Sequence, residues 1–428
     1  MTDARGGTGA KVRTVASVTQ VDGADWDRLA ASNPLLSHGW LQVAEEERPE
    51  EIRVYFLLET GGTLAGAAAC RLETAAGRSE SVDDLLLGRL RPTALGRLLS
   101  FRPSLVCGFP WSVGSGLLID PDAEAPRRRQ FTRLLVEAIT RESSVRGCAT
   151  AFLSVAEGES WLSDVLASRY EFVRHAPVYN LDLRWPSFEA YQRGLPSHNI
   201  RKNISQQLNR SCKLGVEIRE LEDPRSLEER LHEIVDRHFR RFGWSASPYG
   251  PGWFRTLKAR LGPDAVIAVA MRGETVLGVT VALRKEKTFQ SVITCVDHEA
   301  SGNDMTHFNL AYYWPVRECI ARGDRNYVVG PGQAVVRLRR GYRPLENYIY
   351  YRPANRPRGI VCRLWFCLLS YRMGRKRRSV EAIGPRRRLD HGFAACCATS
   401  RIASSCRDSR ASSGLTGVGV ASGCVRIK

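Results

Sequence analysis

One succession of elements is written twice in this chain, and it constrains the fold more than any single motif does. In the first half, EIRVYFLLETGGTLAGAAACRLET reads as a β-hairpin turning at Gly61 and Gly62. SLVCGFPWSVGSGLLID is strand-like. RRRQFTRLLVEAITRE then places Phe131, Leu134, Leu135, Ala138 and Ile139 at helical spacing. CATAFLSV reads as a strand, SWLSDVLASR as a short helix and APVYNLDLR as a closing strand. In the second half, DAVIAVAMRGETVLGVTVALRKEKTFQSVITCVD reads as a three-stranded meander with turns at residues 272–273 and 285–287. A helix in MTHFNLAYYWPVRECIARG, a strand in RNYVVG and a closing strand in PLENYIYYRP follow in the same order. Two copies of meander, helix, strand and strand predict an α+β protein of two similar domains, at 15–180 and 181–358. A mostly helical insertion is expected at 187–260.

The chain has 428 residues and 43% apolar residues, ample for a core of this size. Its net charge of +18 invites a nucleic-acid reading, but the distribution qualifies it. From residue 352 onward there are 17 Lys and Arg against 3 Asp and Glu, which accounts for +14 of that total. The segment 374–428 drifts into Arg, Ser, Ala, Gly and Cys without a hydrophobic period. It is expected to be a disordered basic tail, of a composition that also resembles out-of-frame translation of GC-rich DNA. The polar start lacks the apolar stretch of a signal peptide, and the best apolar segment, GIVCRLWFCLLSYRM, is too short to span a bilayer. A cytoplasmic protein is expected. Six cysteines before residue 352 (Cys70, Cys107, Cys148, Cys212, Cys295, Cys319) form no metal-like spacing and read as small buried hydrophobes. No metal and no cofactor are expected.

Three stretches carry a family resemblance: NPLLSHGWLQVAEEE, LPSHNIRKNISQQLNRSCKLGVEIRE, and HFNLAYYWPVRECIARG followed by GPGQAVVRLRRGYRP. With the doubled pattern, they resemble the GNAT acyltransferase fold in tandem, as in FemABX aminoacyltransferases and their FemAB-like relatives, over about residues 20–355. GNAT enzymes that use coenzyme A hold its pyrophosphate on a Q/R-x-x-G-x-G/A loop at a helix N-terminus. Neither DPDAEAPRRRQF nor DHEASGNDMTHF carries that loop, and Asp297, Glu299 and Asp304 would repel pyrophosphate. FemABX enzymes take the acyl group from aminoacyl-tRNA instead, so the resemblance implies aminoacyl-tRNA as donor.

Arg337, Arg339, Arg340 and Arg343 follow the glycines of GPGQ with no acid before Glu346. In an extended segment Arg337 and Arg339 would share one face and Arg340 the other. On this reading the glycine loop is a turn that opens no helix. The resemblance implies a basic residue here beside the acyl-transfer centre, so Arg337 and Arg340 are candidates to stabilise the oxyanion. A solvated edge strand is the ordinary alternative. His307 is a candidate to orient the acceptor or the ester. Arg201, Lys202, Arg210 and Lys213 lie around an apolar stripe of Ile200, Ile204 and Leu208, with no acid between 193 and 213. They are candidate tRNA-phosphate contacts, an ordinary surface helix being the alternative. Trp111, Trp244 and Tyr312 are candidates to line an acceptor pocket, against a simple packing role. No G-x-S-x-G elbow and no Walker A loop occur, which disfavours hydrolase and ATP-ligase readings.

The leading expectation is transfer of an amino acid (seryl, alanyl or glycyl) from aminoacyl-tRNA to an amine or hydroxyl. The acceptor is a small molecule, as in antibiotic biosynthesis, or a peptidoglycan precursor. The small molecule is favoured because no coiled-coil arm is evident. The alternatives are an acyl-CoA-dependent N-acyltransferase and a non-catalytic RNA- or envelope-binding protein.

Overall fold

The computed structural model describes residues 9–31, 33–74 and 81–383. Contacts separate a unit Met1–Gly384 from Pro385–Lys428, and the second unit lies outside the described residues. Of the disordered tail expected at 374–428, residues 374–383 are helical instead, and the rest lies outside the described residues. The helix Arg356–Ile383 continues through residue 374, anchored by buried Cys362, Trp365 and Phe366 and extended by strong helix formers.

The strands are β1 Lys11–Val15, β2 Ile52–Thr60, β3 Thr63–Glu73, β4 Ser104–Cys107, β5 Leu117–Ile119, β6 Ala149–Ala156, β7 Glu171–Asp182, β8 Glu217–Glu220, β9 Ala265–Arg272, β10 Thr275–Lys285, β11 Thr288–Val296, β12 Asn326–Val329 and β13 Arg343–Arg352. They form one sheet in the order β1-β2-β3-β4-β6-β13-β7-β12-β11-β10-β9-β8, with β5 paired to β3. Strands β1 to β4 pair antiparallel in sequence order. The helix Ala125–Val145 then crosses over to β6, which is parallel to β4. The second half repeats this: β8 to β11 are antiparallel, and a helical crossover leads to β12, parallel to β11. Strand β8 falls within the region expected to be helical, 187–260, and gives the second meander its fourth strand.

At the centre the halves exchange their closing strands. Strand β7 ends the first copy but pairs with β12 of the second, while β13 ends the second copy and pairs with β6 of the first. The two exchanged strands also pair with each other. The expected boundary at residue 180 therefore falls inside β7.

Two close approaches explain glycines in the singled-out stretches. A Cβ at Gly39 would lie 2.7 Å from the Arg260 carbonyl, so glycine lets the helix His38–Glu47 seat against the helix Trp253–Leu261. Gly108 has φ +92° and its Cβ would lie 2.7 Å from the Gly116 nitrogen, so the loop carrying Trp111 can close at its neck. Cys70, Cys107, Cys148, Cys295 and Cys319 are buried, whereas Cys212 is exposed on the outer face of its helix. Among the described residues no helix is long and apolar enough to cross a membrane.

Candidate active site

The segment expected to be extended after GPGQ is a helix, Ala334–Arg339. Gly332 (φ +102°) and Gln333 (φ +43°) reverse the chain after β12, so the glycine loop does open a helix. The consequence is large for the arginines. Arg337 and Arg340 are three residues apart around a helical turn instead of on opposite faces of a strand. Arg343 begins β13.

The crossover Thr306–Arg322 is helical with a widened π stretch at Asn309–Tyr313. Pro315 has no N–H to give to Ala311, and the freed Ala311 carbonyl accepts from the Tyr327 hydroxyl at 2.8 Å instead. This widened turn carries Ala311 and Tyr312 to a cleft of about 440 Å³ between the two copies.

Five of the expected site residues line that cleft: Trp111, Trp244, His307, Tyr312 and Arg337. Trp111 comes from the first copy and is tied to the second, since its carbonyl accepts from Gln290 Nε2 at 3.1 Å. Its ring stacks on His175 at 4.6 Å, and burial pushes that imidazole down to about 4, so it is neutral. Trp244 is braced edge-on by Phe239 at 5.4 Å.

Arg337 donates to the Gly330 carbonyl, and its guanidinium lies 5.3 Å from the centre of the Tyr179 ring. Its Nε is buried and unpartnered, and among the described residues no carboxylate pairs with it. On the same wall Tyr312 donates to Gln333 Oε1 at 3.1 Å, and the Gln333 amide nitrogen lies 3.4 Å from His307 Nε2. Burial, then repulsion from His298 and Arg337, lowers the His307 pKa below its ordinary value of 6.5. The ring is neutral at pH 7 and keeps a lone pair able to take a proton.

The remaining candidates lie elsewhere. Arg340 does not line the cleft: its guanidinium is buried behind it against Phe308, Tyr312 and Tyr313, at 5.1, 5.1 and 5.6 Å from the ring centres. Arg201, Lys202, Arg210 and Lys213 sit on the helix His198–Lys213, whose Ile204 is buried. Lys202, Arg210 and Lys213 are exposed and Arg201 half-buried, donating to the Leu195 carbonyl. None of the four lines the cleft, and among the described residues none pairs with a carboxylate.

Sequence reasoning missed the charged wall of the first copy. Arg48 with Glu51 (3.4 Å) and Arg71 with Glu73 (2.7 Å) bring two buried ion pairs to the cleft. Arg53 and Arg71 face each other in register across β2 and β3. Facing arginines in an otherwise apolar hairpin were the available signal, since a strand core tolerates charge only where it is paired.

Where a GNAT fold would bind pyrophosphate, this chain has placed its own carboxylates. Asp297 Oδ1 accepts from the Glu299 and Ala300 amides at 3.0 and 3.1 Å, and Asp304 Oδ1 accepts from the Thr306 amide at 2.9 Å. Both carboxylates are buried and paired, Asp297 with Arg230 and Asp304 with Arg272, each at 2.6 Å.

A family model described as peptidoglycan biosynthesis/recognition, FemAB-like, matches residues 17–366. A search of the curated proteins finds no match. Among solved structures, FemX is similar with a TM-score of 0.51 at 9% identity, covering 79% of this chain and 96% of its own. L-PGS from Bacillus licheniformis is similar with a TM-score of 0.50 at 11% identity, covering 81% and 95%. The C-terminal domain of a lysylphosphatidylglycerol synthetase from Agrobacterium fabrum gives 0.50 at 11% identity, covering 81% and 96%. At these identities the structures speak for the fold, and the family match over most of the chain speaks for descent: this chain belongs to the FemAB-like family, built on a doubled GNAT-like fold.

Proposed function

We propose that this protein is an aminoacyltransferase that moves an amino acid from aminoacyl-tRNA to an amine or hydroxyl in the cleft between its two copies. The acceptor is a cell-wall precursor, in keeping with the family description, or a small molecule of similar polarity. The observation that carries the reading is the convergence of Arg337 and a neutral His307 on one aromatic-lined cleft. For an amine acceptor, its nitrogen attacks the ester carbonyl. A C–N bond forms, the ester C–O bond breaks, and the ribose hydroxyl leaves with a proton. His307 takes the proton that the amine loses and passes it to the departing ribose oxygen, and Arg337 faces the developing oxyanion. Trp111, Trp244 and Tyr312 hold the acceptor against the ester, so that orientation supplies part of the rate.

Coenzyme A is the weaker donor because the amides that would hold its pyrophosphate already serve Asp297 and Asp304. A transfer assay separates the two donors. Total tRNA charged with labelled amino acids, or labelled acetyl-CoA, is incubated with the protein and a cell-extract acceptor pool, each with and without ribonuclease. Label is expected to move from tRNA alone and to stop with ribonuclease. Movement from acetyl-CoA alone would overturn the reading.

The lowered His307 pKa fixes the direction of the pH response. Below its folded pKa the ring is protonated and cannot accept a proton, so the rate falls as pH drops through a value under 6.5. His307→Gln is expected to remove that acidic limb and lower the rate at neutral pH by roughly 10²-fold, the lower end of general-base contributions. A rate–pH profile of both proteins checks this.

A further inference from the structure

We propose that the outer face of the helix Arg356–Ile383 docks the protein onto an anionic lipid surface. The helix is apolar on two sides. Cys362, Trp365 and Phe366 are buried, with Leu369 packed beside them, against a core cluster that includes Phe101, Ile349 and Tyr351. Ile360, Val361, Leu364, Leu368 and Tyr371 are exposed at 65%, 44%, 69%, 46% and 62%. At 100° per residue these five fall within an arc of roughly 100°, next to the arc that the core covers. Two neighbouring apolar faces on one surface helix are more than core packing requires.

A further exposed leucine adjoins the core cluster under the helix. Leu98, 83% exposed, ends the helix Ala94–Leu98, and the adjoining Leu99 packs into the same core cluster as Trp365.

Charge selects the occupant. Residues 356–378 hold eight Lys and Arg and no Asp or Glu, and five of those eight follow Tyr371 directly: Arg372, Arg375, Lys376, Arg377 and Arg378. A second copy meeting this face about a two-fold axis would set like charge against like charge. A nucleic acid would use the arginines but leave exposed Ile360, Leu364 and Leu368 in water. An anionic bilayer satisfies both, taking apolar side chains between its acyl chains and basic ones among its headgroups. The helix is too polar to cross, so it lies in the plane of the interface. This inference stands apart from the transfer reaction, because its residues do not line the cleft.

The test is co-sedimentation of the full chain with vesicles of phosphatidylcholine, with and without phosphatidylglycerol. Three proteins are compared: the native chain, Leu364→Asp with Leu368→Asp, and Lys376→Glu with Arg377→Glu. The native chain is expected to sediment with the phosphatidylglycerol vesicles at least about tenfold more tightly than with phosphatidylcholine alone, and salt should weaken it. Each double variant should lose about tenfold or more while its thermal unfolding stays unchanged, since the leucines are exposed. No sedimentation of the native chain would overturn the proposal. So would unaltered binding by the leucine variant, and binding competed away by RNA would assign the face to nucleic acid. A concentration-dependent dimer lost in the leucine variant, without lipid binding, would assign it to a second copy.

Discussion

Arg337→Ala is expected to lower kcat/KM for acyl transfer by about 10²- to 10³-fold, the range seen when a single oxyanion donor is removed. Three features make this residue the sharpest probe of the cleft. It lines the cavity, it is held in place by the Gly330 carbonyl and the Tyr179 ring, and among the described residues no carboxylate neutralises it. An unpaired guanidinium at a low-dielectric wall stabilises a nearby negative charge far more than one spent on an ion pair. Its loss should show in kcat as much as in kcat/KM, because the oxyanion exists only in the transition state and the intermediate. Arg337→Lys keeps the charge but not the planar fork, so it should recover only part of the rate. Steady-state kinetics with a single purified aminoacyl-tRNA decides the matter. A rise in KM with kcat unchanged would instead make Arg337 a binding contact for the donor.

Most of the fold was legible because each copy obeys local rules. The Gly61–Gly62 turn, the helical period around Leu135 and the crossover before β12 are written in nearest-neighbour chemistry. What was hidden is non-local. The exchange of β7 and β13 leaves no mark on either strand, since both are apolar enough to sit in the middle of a sheet wherever their partners come from. Strand β8 is only four residues long and half-exposed, too short to announce itself beside Arg210 and Lys213. The site was partly legible: Trp111, Trp244, His307, Tyr312 and Arg337 meet in one cleft, although they come from four separate stretches. The conformation of GPGQAVVRLRR was misread because three arginines arriving after two glycines read as a charged extended segment, although Ala334, Val335, Val336 and Leu338 are apolar. The left-handed turn at Gly332 and Gln333 is what tips the segment into a helix. Asp297 and Asp304 read as repulsive charges in sequence, and the geometry adds that they satisfy the helix-start amides themselves.

The sequence weighed Arg337 and Arg340 together, and their different surroundings predict opposite kinds of loss. Arg340 donates to the Tyr313 hydroxyl at 2.7 Å and to Gln207 Oε1 at 3.3 Å, while Tyr191 donates to its carbonyl at 2.9 Å. Its guanidinium touches three rings of the crossover whose Tyr312 lines the cleft. Arg340→Ala should cost about 2–4 kcal/mol in denaturant unfolding: a cavity opens, the ring contacts vanish and Tyr313 loses a donor. Relief of the desolvated charge offsets part of this, which is why the cost stays below that of a fully packed aromatic. Arg340→Met fills most of the volume without a charge and should cost only about 1 kcal/mol. If Arg340 is a scaffold for the crossover, the methionine variant keeps its transfer rate within about tenfold, while Arg337→Ala falls by 10² or more. A methionine variant that unfolds like the native chain yet loses 10²-fold in rate would mean that the Arg340 charge acts on the reaction through Tyr312 and Tyr313, and the oxyanion would then be shared between two arginines three residues apart.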